Sequence, residues 1–420
     1  MRNRKVPIVF ELLAILATAL LAPTTRAAAQ ETVIYSFPSN NGYGWRPNGG
    51  LVTDAIGNLY GTTYEDSGGG CQGLGCGVVF ELTPKTSGGW TEKVLHRFSF
   101  NGKDGYYPTV GLAIDAAGNL YGTTVGGGLY SWGVVFELIP KTGGGWNEKI
   151  LYNFNGNDPG AEGLILDAAG NLYGMAYQGG AHNYGYVFEL SPKTVGGWTE
   201  KVLYSFIGTD GSQSPISNLI FDGAGNLYGT TYGGGPNPYG TVFELSPSTT
   251  GGSWTETVLH RFTYNLVDGY RPEGGVIFDA AGNLYGTTTS GGPNGGYGTV
   301  FELSPVSGGG WTETILYSFS TGSTIGKDGV APTGPLVFDS AGNLYGTTAT
   351  GGAYGYGTVF KLSPVVGGGW AETVLHTFNP NSKDGIYPQR GGLIFDGGNL
   401  YGTAQGGGAH AGGAVFEIAP

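Results

Sequence analysis

The stretch Asp115–Thr124 reads DAAGNLYGTT, and close copies of it recur along the chain. The steps between its seven Asn-Leu-Tyr cores run from 52 to 61 residues, and the cores begin at Asn58, Asn119, Asn171, Asn226, Asn283, Asn343 and Asn399. A second marker, Val-Phe-Glu-Leu or a near relative, follows each core, with its phenylalanine at Phe80, Phe136, Phe188, Phe243, Phe301, Phe360 and Phe416. A recurring period of this length indicates tandem structural repeats.

One period, starting at Gly111, contains four segments with the alternation expected of β-strands: GLAID, NLYGTT, GVVFELIP and WNEKILYNF. In the second of them, Leu120, Gly122 and Thr124 share one face. The segments are rich in β-branched and aromatic residues, and Gly, Pro, Asn and Asp lie between them. Four antiparallel strands in a repeat of about 40 to 60 residues are typical of a β-propeller blade, whereas β-solenoid rungs are much shorter.

The two ends of the chain predict how the ring closes. Glu31–Phe37 (ETVIYSF) matches a fourth strand such as Thr199–Phe206, while Ala414–Pro420 (AVFEIAP) matches a third strand. We therefore expect the N-terminal strand to complete the last blade, because that pairing removes an exposed sheet edge. The sequence predicts an all-β, seven-bladed β-propeller with 28 strands, forming a single domain over residues 30–420.

The combined pattern AGNLYGTT…GG…GTVFELSP…GGGWTETVLYSF resembles the GloVer tandem repeat proteins, which are exported bacterial proteins defined by this repeat. The resemblance covers nearly the whole chain after residue 29. It implies a repeat fold but no established biochemical activity. GLAIDAAGNLYG also resembles NHL-type propeller repeats, which agrees with the same architecture.

Residues 1–29 differ in composition from the repeats. A basic MRNRK is followed by a mostly apolar stretch, interrupted by Glu11, and by small residues around Ala27 and Ala29. This pattern predicts a secretory signal peptide; the alternative is an uncleaved membrane anchor. No other apolar run reaches membrane-spanning length, so we expect an exported protein, secreted, periplasmic or on the cell surface, with no membrane span in its mature chain.

Composition limits the partners. The chain carries a net charge of −12, and such an acidic surface argues against nucleic acid and anionic membranes. Aromatic residues make up 13% and charged residues only 12%, which argues against disorder despite 84 glycines and 22 prolines. We expect a monomer without a cofactor, whose partner is a glycan or a cell-surface protein.

The two cysteines, Cys71 and Cys76, lie close together in CQGLGC. In an exported chain such a pair predicts a disulfide that closes a small loop; the alternative is two free thiols. No zinc site is predicted, since no second Cys or His pair has suitable spacing.

The DAAGN segment predicts a hairpin turn. Asp115 would accept a hydrogen bond from a backbone N–H two residues on, and Gly118 would take a left-handed conformation. The alternative is a calcium loop, but one Asp and one Asn supply too few oxygen ligands. Gly122 is expected to let neighbouring blades approach each other.

Two further positions repeat in almost every blade. The glutamates of Val-Phe-Glu-Leu are expected to pair with fourth-strand residues between blades, because catalysis would need two carboxylates at one bond; they are Glu81, Glu137, Glu189, Glu244, Glu302 and Glu417. The tryptophans that open the fourth strands are expected to cover the outer rim, with a sugar platform as the alternative; they are Trp90, Trp146, Trp198, Trp254, Trp311 and Trp370.

The loops before the first strand and after the second strand should emerge on one face, and they supply the candidate ligand-binding residues. Aromatic faces and carboxylate acceptors on a rigid scaffold suit sugar binding, whereas the alternative is that Gly-Gly and Asp-Gly only make tight turns. The candidates are Asp104, Asp158, Asp210, Asp268, Asp328, Asp384, Trp132, Tyr184, Tyr239, Tyr297 and Tyr356.

We therefore predict an exported binding module that presents this face to a glycan or a protein. The alternatives are a secreted hydrolase or lyase that uses loop carboxylates, and a structural envelope protein. No catalytic residue is assigned, because no nucleophile elbow, His-Glu-x-x-His or P-loop occurs. The histidines His96, His260 and His376 share one fourth-strand position, which is Tyr in other blades, and are expected to be packing residues.

Overall fold

The computed structural model describes residues 30–38, 44–66, 70–73, 75–156, 161–210, 218–234, 238–248, 254–320, 327–381 and 383–420. The predicted signal peptide and Asp158 lie outside these residues. The described chain forms seven four-stranded antiparallel sheets arranged as a seven-bladed β-propeller, which confirms the predicted fold class. Its one helical element is a short 3-10 turn at Cys71–Gly73, within the loop that the Cys71–Cys76 disulfide closes.

In each blade the four strands follow one another in chain order. Blade 1 consists of Val52–Thr53, Leu59–Glu65, Val78–Pro84 and Trp90–Arg97. Blade 2 consists of Ala113–Ile114, Leu120–Thr123, Val134–Pro140 and Trp146–Asn153. Blades 3 and 4 consist of Ala161–Leu166, Leu172–Ala176, Tyr186–Pro192, Trp198–Ser205, then Ile220–Phe221, Leu227–Thr231, Thr241–Ser246 and Thr255–Arg261. Blades 5 and 6 consist of Val276–Phe278, Leu284–Thr288, Thr299–Pro305, Trp311–Ser318, then Val337–Phe338, Leu344–Thr348, Thr358–Pro364 and Trp370–Thr377.

Blade 7 is assembled from both ends of the chain. Leu393–Asp396, Asn399–Ala404 and Ala411–Ala419 form its first three strands, and Gln30–Pro38 forms the fourth. This N-terminal strand runs antiparallel to the C-terminal strand, from Gln30 opposite Ala419 to Pro38 opposite Ala411. The predicted closure of the ring is therefore confirmed.

Seven further strands of two or three residues lie in the loops. Trp45–Pro47 extends the sheet of blade 1, where it pairs with Leu59–Glu65. The other six form three ribbons that join the loop before a first strand to the loop after the second strand of the same blade. The ribbon of blade 7 is also joined to the sheet of that blade, through a parallel pair between Gly407 and Gly412. These ribbons pair Gly105–Tyr106 with Gly126–Gly127, Gly269–Tyr270 with Ser290–Gly291, and Gly385–Ile386 with Gly406–Gly407. The ribbons stiffen the two loop sets that the sequence analysis places on one face.

The repeated glycine and phenylalanine form one packing unit. Gly122 lies opposite Phe136 on the neighbouring strand, and a Cβ at Gly122 would lie 2.5 Å from Cζ of that ring. The fully buried Phe136 ring packs with Tyr60 and Val79 of blade 1, so each such ring helps build the core between two blades. The expectation for Gly122 is therefore wrong in one respect: the missing side chain makes room for a ring of its own blade.

The DAAGN segment is a hydrogen-bonded turn. Oδ1 of Asp115 accepts the backbone N–H of Ala117 at 2.9 Å and of Asn119 at 2.8 Å. Its Oδ2 accepts the Asn119 amide at 2.8 Å and the Tyr121 hydroxyl at 3.1 Å, and Gly118 takes a φ of 81°. Both carboxylate oxygens are thus used within the turn, which supports the structural interpretation of this motif.

The third-strand glutamates pair within their own blades. Glu137 accepts from Tyr121 at 3.0 Å and from Lys149, on the adjacent fourth strand, at 3.3 Å. The expected pairing between blades is therefore wrong here, because the cross-strand register already supplies a cation. The tryptophans instead reach across blades: the half-buried Trp146 packs edge-on against Tyr60 of blade 1, with ring centroids 6.3 Å apart.

Candidate functional site

The two faces of the ring differ in the side chains that they expose. The loop face contains the connections before each first strand and after each second strand, and the turn face contains the DAAGN turns and the turns between third and fourth strands. Among the described residues, the exposed aromatic side chains all lie in loop-face segments: Phe100, Tyr130, Trp132, Tyr184, Tyr264 and Tyr354. The turn-face segments expose aliphatic residues such as Ile56, Val195 and Val366. Exposed rings are thus confined to one face.

The structure places the five predicted aromatic residues in two layers. Trp132 and Tyr184 are 43% and 39% exposed. Tyr239, Tyr297 and Tyr356 are half-buried. Tyr239 stacks on the exposed ring of Tyr264 with centroids 5.9 Å apart, so this half-buried ring supports an outer one.

A pocket of about 390 Å³ opens on the loop face at blade 5. Its walls include Tyr264, Asn265, Leu266, Tyr270 and Pro293, together with glycines of the loop after the second strand. Tyr264 and Tyr270 are not among the candidate residues predicted from the sequence. The signal available was the segment TYNLVDGY (263–270), which carries two tyrosines in a loop of the predicted face.

The five predicted aspartates that the structure describes hold these loops in place through hydrogen bonds to the loop backbone. Asp104, Asp210, Asp268 and Asp384 are each at least nine-tenths buried, and Asp328 is half-buried. Each accepts a backbone N–H from the start of its own loop; the donors are Ser99, Ile207, Thr263, Ser320 and Asn379, at 2.8 to 3.3 Å. Their role as ligand-binding residues stays a prediction, while their contacts show how they shape the loop face.

These aspartates also belong to clusters at the joints between blades. Each such junction cluster contains the loop aspartate, a His or Tyr from the fourth strand of the preceding blade, and a Glu from the fourth strand of the next blade. Three clusters carry histidine: His96–Asp104–Glu148, His260–Asp268–Glu313 and His376–Asp384–Glu31. Two carry tyrosine: Tyr204–Asp210–Glu256 and Tyr317–Asp328–Glu372.

The junction glutamates hold their protons unusually tightly. Burial, with the nearby Asp210, raises the pKa of Glu256 to about 7, and burial with Asp328 raises the pKa of Glu372 to about 7. Burial likewise raises the pKa of Glu148, although the charge of His96 opposes the shift. Carboxyl pairs therefore converge, as the enzyme hypothesis requires, but their recurrence around the ring favours a role in joining blades.

Replacing Glu256 and Glu372 together by glutamine is expected to flatten the pH dependence of stability. A raised folded-state pKa means that the folded chain binds more protons than the unfolded chain between the usual 4.5 and about 7. The stability that these protons contribute is therefore lost as pH rises through that window. Glutamine keeps a donor but does not titrate, so the double variant should melt above the parent at pH 8.

Thermal unfolding followed by circular dichroism between pH 4.5 and 8 measures this slope. The matched control is Thr255→Ala, since Thr255 neighbours Glu256 in sequence but is exposed. A slope equal to that of the parent chain would contradict the prediction.

The centre of the ring is nearly closed. Residues that precede the first strands of six blades, including Gly49, Asn218, Glu273 and Arg390, surround a cavity of about 50 Å³. Burial raises the pKa of Glu273, although the charge of Arg390 opposes the shift. Ligand pockets typically measure about 300 to 1,000 Å³. As lined by the described residues, this cavity is too small for a sugar, and the loop face is the candidate site.

The similar known structures support the fold alone, because their sequence identities to this chain are low. PorZ, a surface component of the type-IX secretion system of Porphyromonas gingivalis, is 16% identical, with a TM-score of 0.51 over 88% of this chain. The chain spans about half of PorZ, covering 46% of it. A gluconolactonase from Xanthomonas campestris is 14% identical, and the match covers 93% of this chain and 89% of the gluconolactonase. Its TM-score of 0.41 is too low to support any conclusion about this chain.

No curated protein sequence matches the chain. Within the described residues, no helix is long and apolar enough to cross a membrane. The sequence model of the Gloeobacter/Verrucomicrobia repeat, in contrast, matches three overlapping segments, residues 21–163, 145–327 and 306–420. These matches span the seven blades, and the chain belongs to the Gloeobacter/Verrucomicrobia repeat family.

Proposed function

We propose that this protein is an exported binding module whose loop face recognises a carbohydrate chain. One observation carries the proposal: the exposed aromatic side chains of the described residues are confined to the loop face. Aromatic rings offer flat apolar surfaces that stack on the C–H faces of sugars, and they lose little conformational entropy on binding.

The blade 5 pocket combines aromatic rings with polar groups that could bind sugar hydroxyls. Tyr264 and Tyr270 provide ring surfaces, and the glycine-rich loop contributes backbone groups. Asn265 provides an amide donor, while its Oδ1 accepts the backbone N–H groups of Val267 and Asp268. A concave, largely apolar site with a few convergent polar groups is typical of small-ligand recognition. The Arg271 guanidinium lies over the Tyr270 ring at 5.8 Å, which helps to hold this wall of the pocket.

The other exposed rings lie in separate blades around the same face. Trp132 belongs to the loop after the second strand of blade 2, Tyr184 to that of blade 3, and Tyr354 to that of blade 6. Several weak contacts on one rigid surface strengthen binding to a polymer, because each later contact becomes intramolecular. A polysaccharide is thus a better fit than a single small sugar.

Replacing Tyr264 by alanine is expected to weaken polysaccharide binding at least tenfold, because the pocket loses its exposed ring. Trp132→Ala should weaken binding to long chains more than to short oligosaccharides, since it lies two or more blades away. The measurement is isothermal titration of the full chain with a panel of neutral and acidic polysaccharides and their oligosaccharides.

Val366→Ala is the matched control, because Val366 is a fully exposed residue of the turn face. Its affinity should equal that of the parent chain. Absence of binding to every polysaccharide, or an equal loss in the control, would exclude the carbohydrate version of this proposal and leave a protein ligand to be tested.

A further inference from the structure

The three histidine-containing junction clusters lie at the joints between blades, and one of their residues, Asp268, also lines the blade 5 pocket. We propose that each of them binds one divalent first-row transition metal ion, with Zn²⁺ as the best match. The ligands would be one imidazole and two carboxylates per ion, in His96–Asp104–Glu148, His260–Asp268–Glu313 and His376–Asp384–Glu31. The metal proposal rests on the junction clusters and does not depend on whether the loop face binds a carbohydrate.

The interatomic distances in the first cluster fit a metal better than a hydrogen bond. His96 Nε2 lies 3.5 Å from Asp104 Oδ2 and 3.4 Å from Glu148 Oε1. An N–H···O hydrogen bond has a donor–acceptor distance near 2.9 Å. In contrast, tetrahedral zinc with bonds of about 2.0 to 2.2 Å separates neighbouring ligand atoms by roughly 3.3 to 3.5 Å.

The second cluster repeats this arrangement slightly expanded. His260 Nε2 lies 3.6 Å from Asp268 Oδ2 and 3.8 Å from Glu313 Oε1. In the third cluster His376 Nε2 and Asp384 Oδ2 form a hydrogen bond of 3.0 Å, which a bound ion would have to replace. In all three clusters the ligand atoms lie within 4.8 Å of one another, so side-chain adjustments would bring them to the spacing that zinc requires.

Buried polar atoms in the first two clusters lack hydrogen-bond partners among the described residues. These atoms are Nε2 of His96 and His260, Oε1 of Glu148 and Glu313, and Oδ1 of Asp104 and Asp268. Both aspartates are 6% exposed, so water does not solvate them freely. Buried polar atoms normally have a partner, and a bound cation would provide one for the imidazole nitrogen and the glutamate oxygen at once, and also for Oδ1 of an aspartate that binds through both of its oxygens.

The aspartates are already held in place by second contacts. Asp104 Oδ2 accepts the backbone N–H of Ser99 at 2.9 Å and its hydroxyl at 3.1 Å. Asp268 receives the same pair from Thr263, at 2.8 and 3.2 Å. Metal ligands are typically oriented by such outer contacts, which reduce the cost of ordering the site.

The donor set decides which ion fits. Ca²⁺ and Mg²⁺ prefer ligand sets made only of oxygen, whereas an imidazole favours zinc and its neighbours in the first transition row. Two carboxylates offset the ionic charge, and three protein ligands leave one tetrahedral position open for water. The Asp follows the His by eight residues in all three clusters, but the Glu lies on the fourth strand of the next blade, far from both in sequence, so no short zinc-ligand motif appears.

The tyrosine clusters provide an internal control. Tyr317 occupies the position of the histidine and donates its hydroxyl to Asp328 Oδ2 at 2.8 Å, so this junction is joined by a hydrogen bond. Replacing a histidine by tyrosine should therefore remove a metal ligand while copying a junction that the fold already uses.

Equilibrium dialysis of the chelator-stripped full chain against Zn²⁺ tests the proposal. Three ions should bind per chain, His96→Tyr and His260→Tyr should each remove one, and the triple variant with His376→Tyr should bind none. Circular dichroism should show an unchanged fold in these variants, and Zn²⁺ should raise the melting temperature of the parent chain but not that of the triple variant.

His182→Ala and His410→Ala are the controls, because both histidines are exposed and outside the clusters. They should leave the count at three. Binding that persists in the folded triple variant, or that disappears in these controls, would overturn the proposal as adventitious surface binding. A parent chain that binds no Zn²⁺ would also overturn it, leaving a shared proton between Glu and Asp in each junction.

Discussion

Phe37→Ala is expected to destabilise the protein by about 3 to 5 kcal/mol, the range for truncating a fully buried phenylalanine. Phe37 is completely buried in the N-terminal strand. Its ring meets Phe80 of blade 1 edge-on with centroids 5.0 Å apart, and it meets Tyr35 at 4.9 Å. The lost contacts include those that join blade 7 to blade 1, so the ring should open at this joint first.

Urea unfolding at fixed pH, followed by tryptophan fluorescence, measures the loss of stability. Thr32→Ala is the control on the same strand, since Thr32 is exposed, and it should change the free energy of unfolding by less than about 1 kcal/mol. Limited proteolysis should cut the Phe37 variant between residues 30 and 38 before it cuts the other blades. A loss in this variant no larger than that of Thr32→Ala would show that the closing strand contributes little.

Gly122→Ala is expected to cost on the order of 1 to 3 kcal/mol through overpacking. The new Cβ would lie 2.5 Å from Cζ of Phe136 and 2.9 Å from Cδ2 of Leu112. Phe136 is fully buried, so its ring has no free space into which it could move. The substitution would therefore force the second and third strands of blade 2 apart.

A second substitution that shortens the Phe136 side chain tests whether overpacking, and not the loss of glycine as such, destabilises the Gly122→Ala variant. Phe136→Leu alone should also be destabilising, because it leaves a cavity between blades. The double variant Gly122→Ala/Phe136→Leu should be more stable than the sum of the single losses predicts, with a coupling energy of at least about 0.5 kcal/mol. Additive losses measured by urea unfolding would show that the glycine is needed for another reason.

Much of the fold could be predicted because its determinants repeat. The seven Asn-Leu-Tyr cores gave the blade count, and the alternation around Leu120 and Phe136 gave the strands. The match of Glu31–Phe37 to a fourth strand predicted the closing pair, which the register from Gln30 to Pro38 confirms. These features depend on local alternation and turn chemistry, which a single repeat already contains.

The candidate site could be predicted only in outline. The loop face, with Trp132 and Tyr184 exposed on it, follows from the strand order. The burial of Asp104 and Asp268 does not follow from the strand order. Whether a loop carboxylate faces solvent or a joint between blades depends on how the loop folds back. The pocket beside Tyr264 likewise needs two loops of blade 5, which are separated by two strands in the sequence, to lie side by side.

The sequence by itself determined the β-propeller, the number of blades, the way the ring closes and the face that carries the loops. Only the tertiary structure decided which charged groups meet. His96 and Glu148 lie in neighbouring blades, and the packing of those blades brings their side-chain atoms to 3.4 Å. The physical reason is that strand alternation is encoded over a few neighbouring residues, whereas a junction cluster forms only when two separately folded sheets pack side by side.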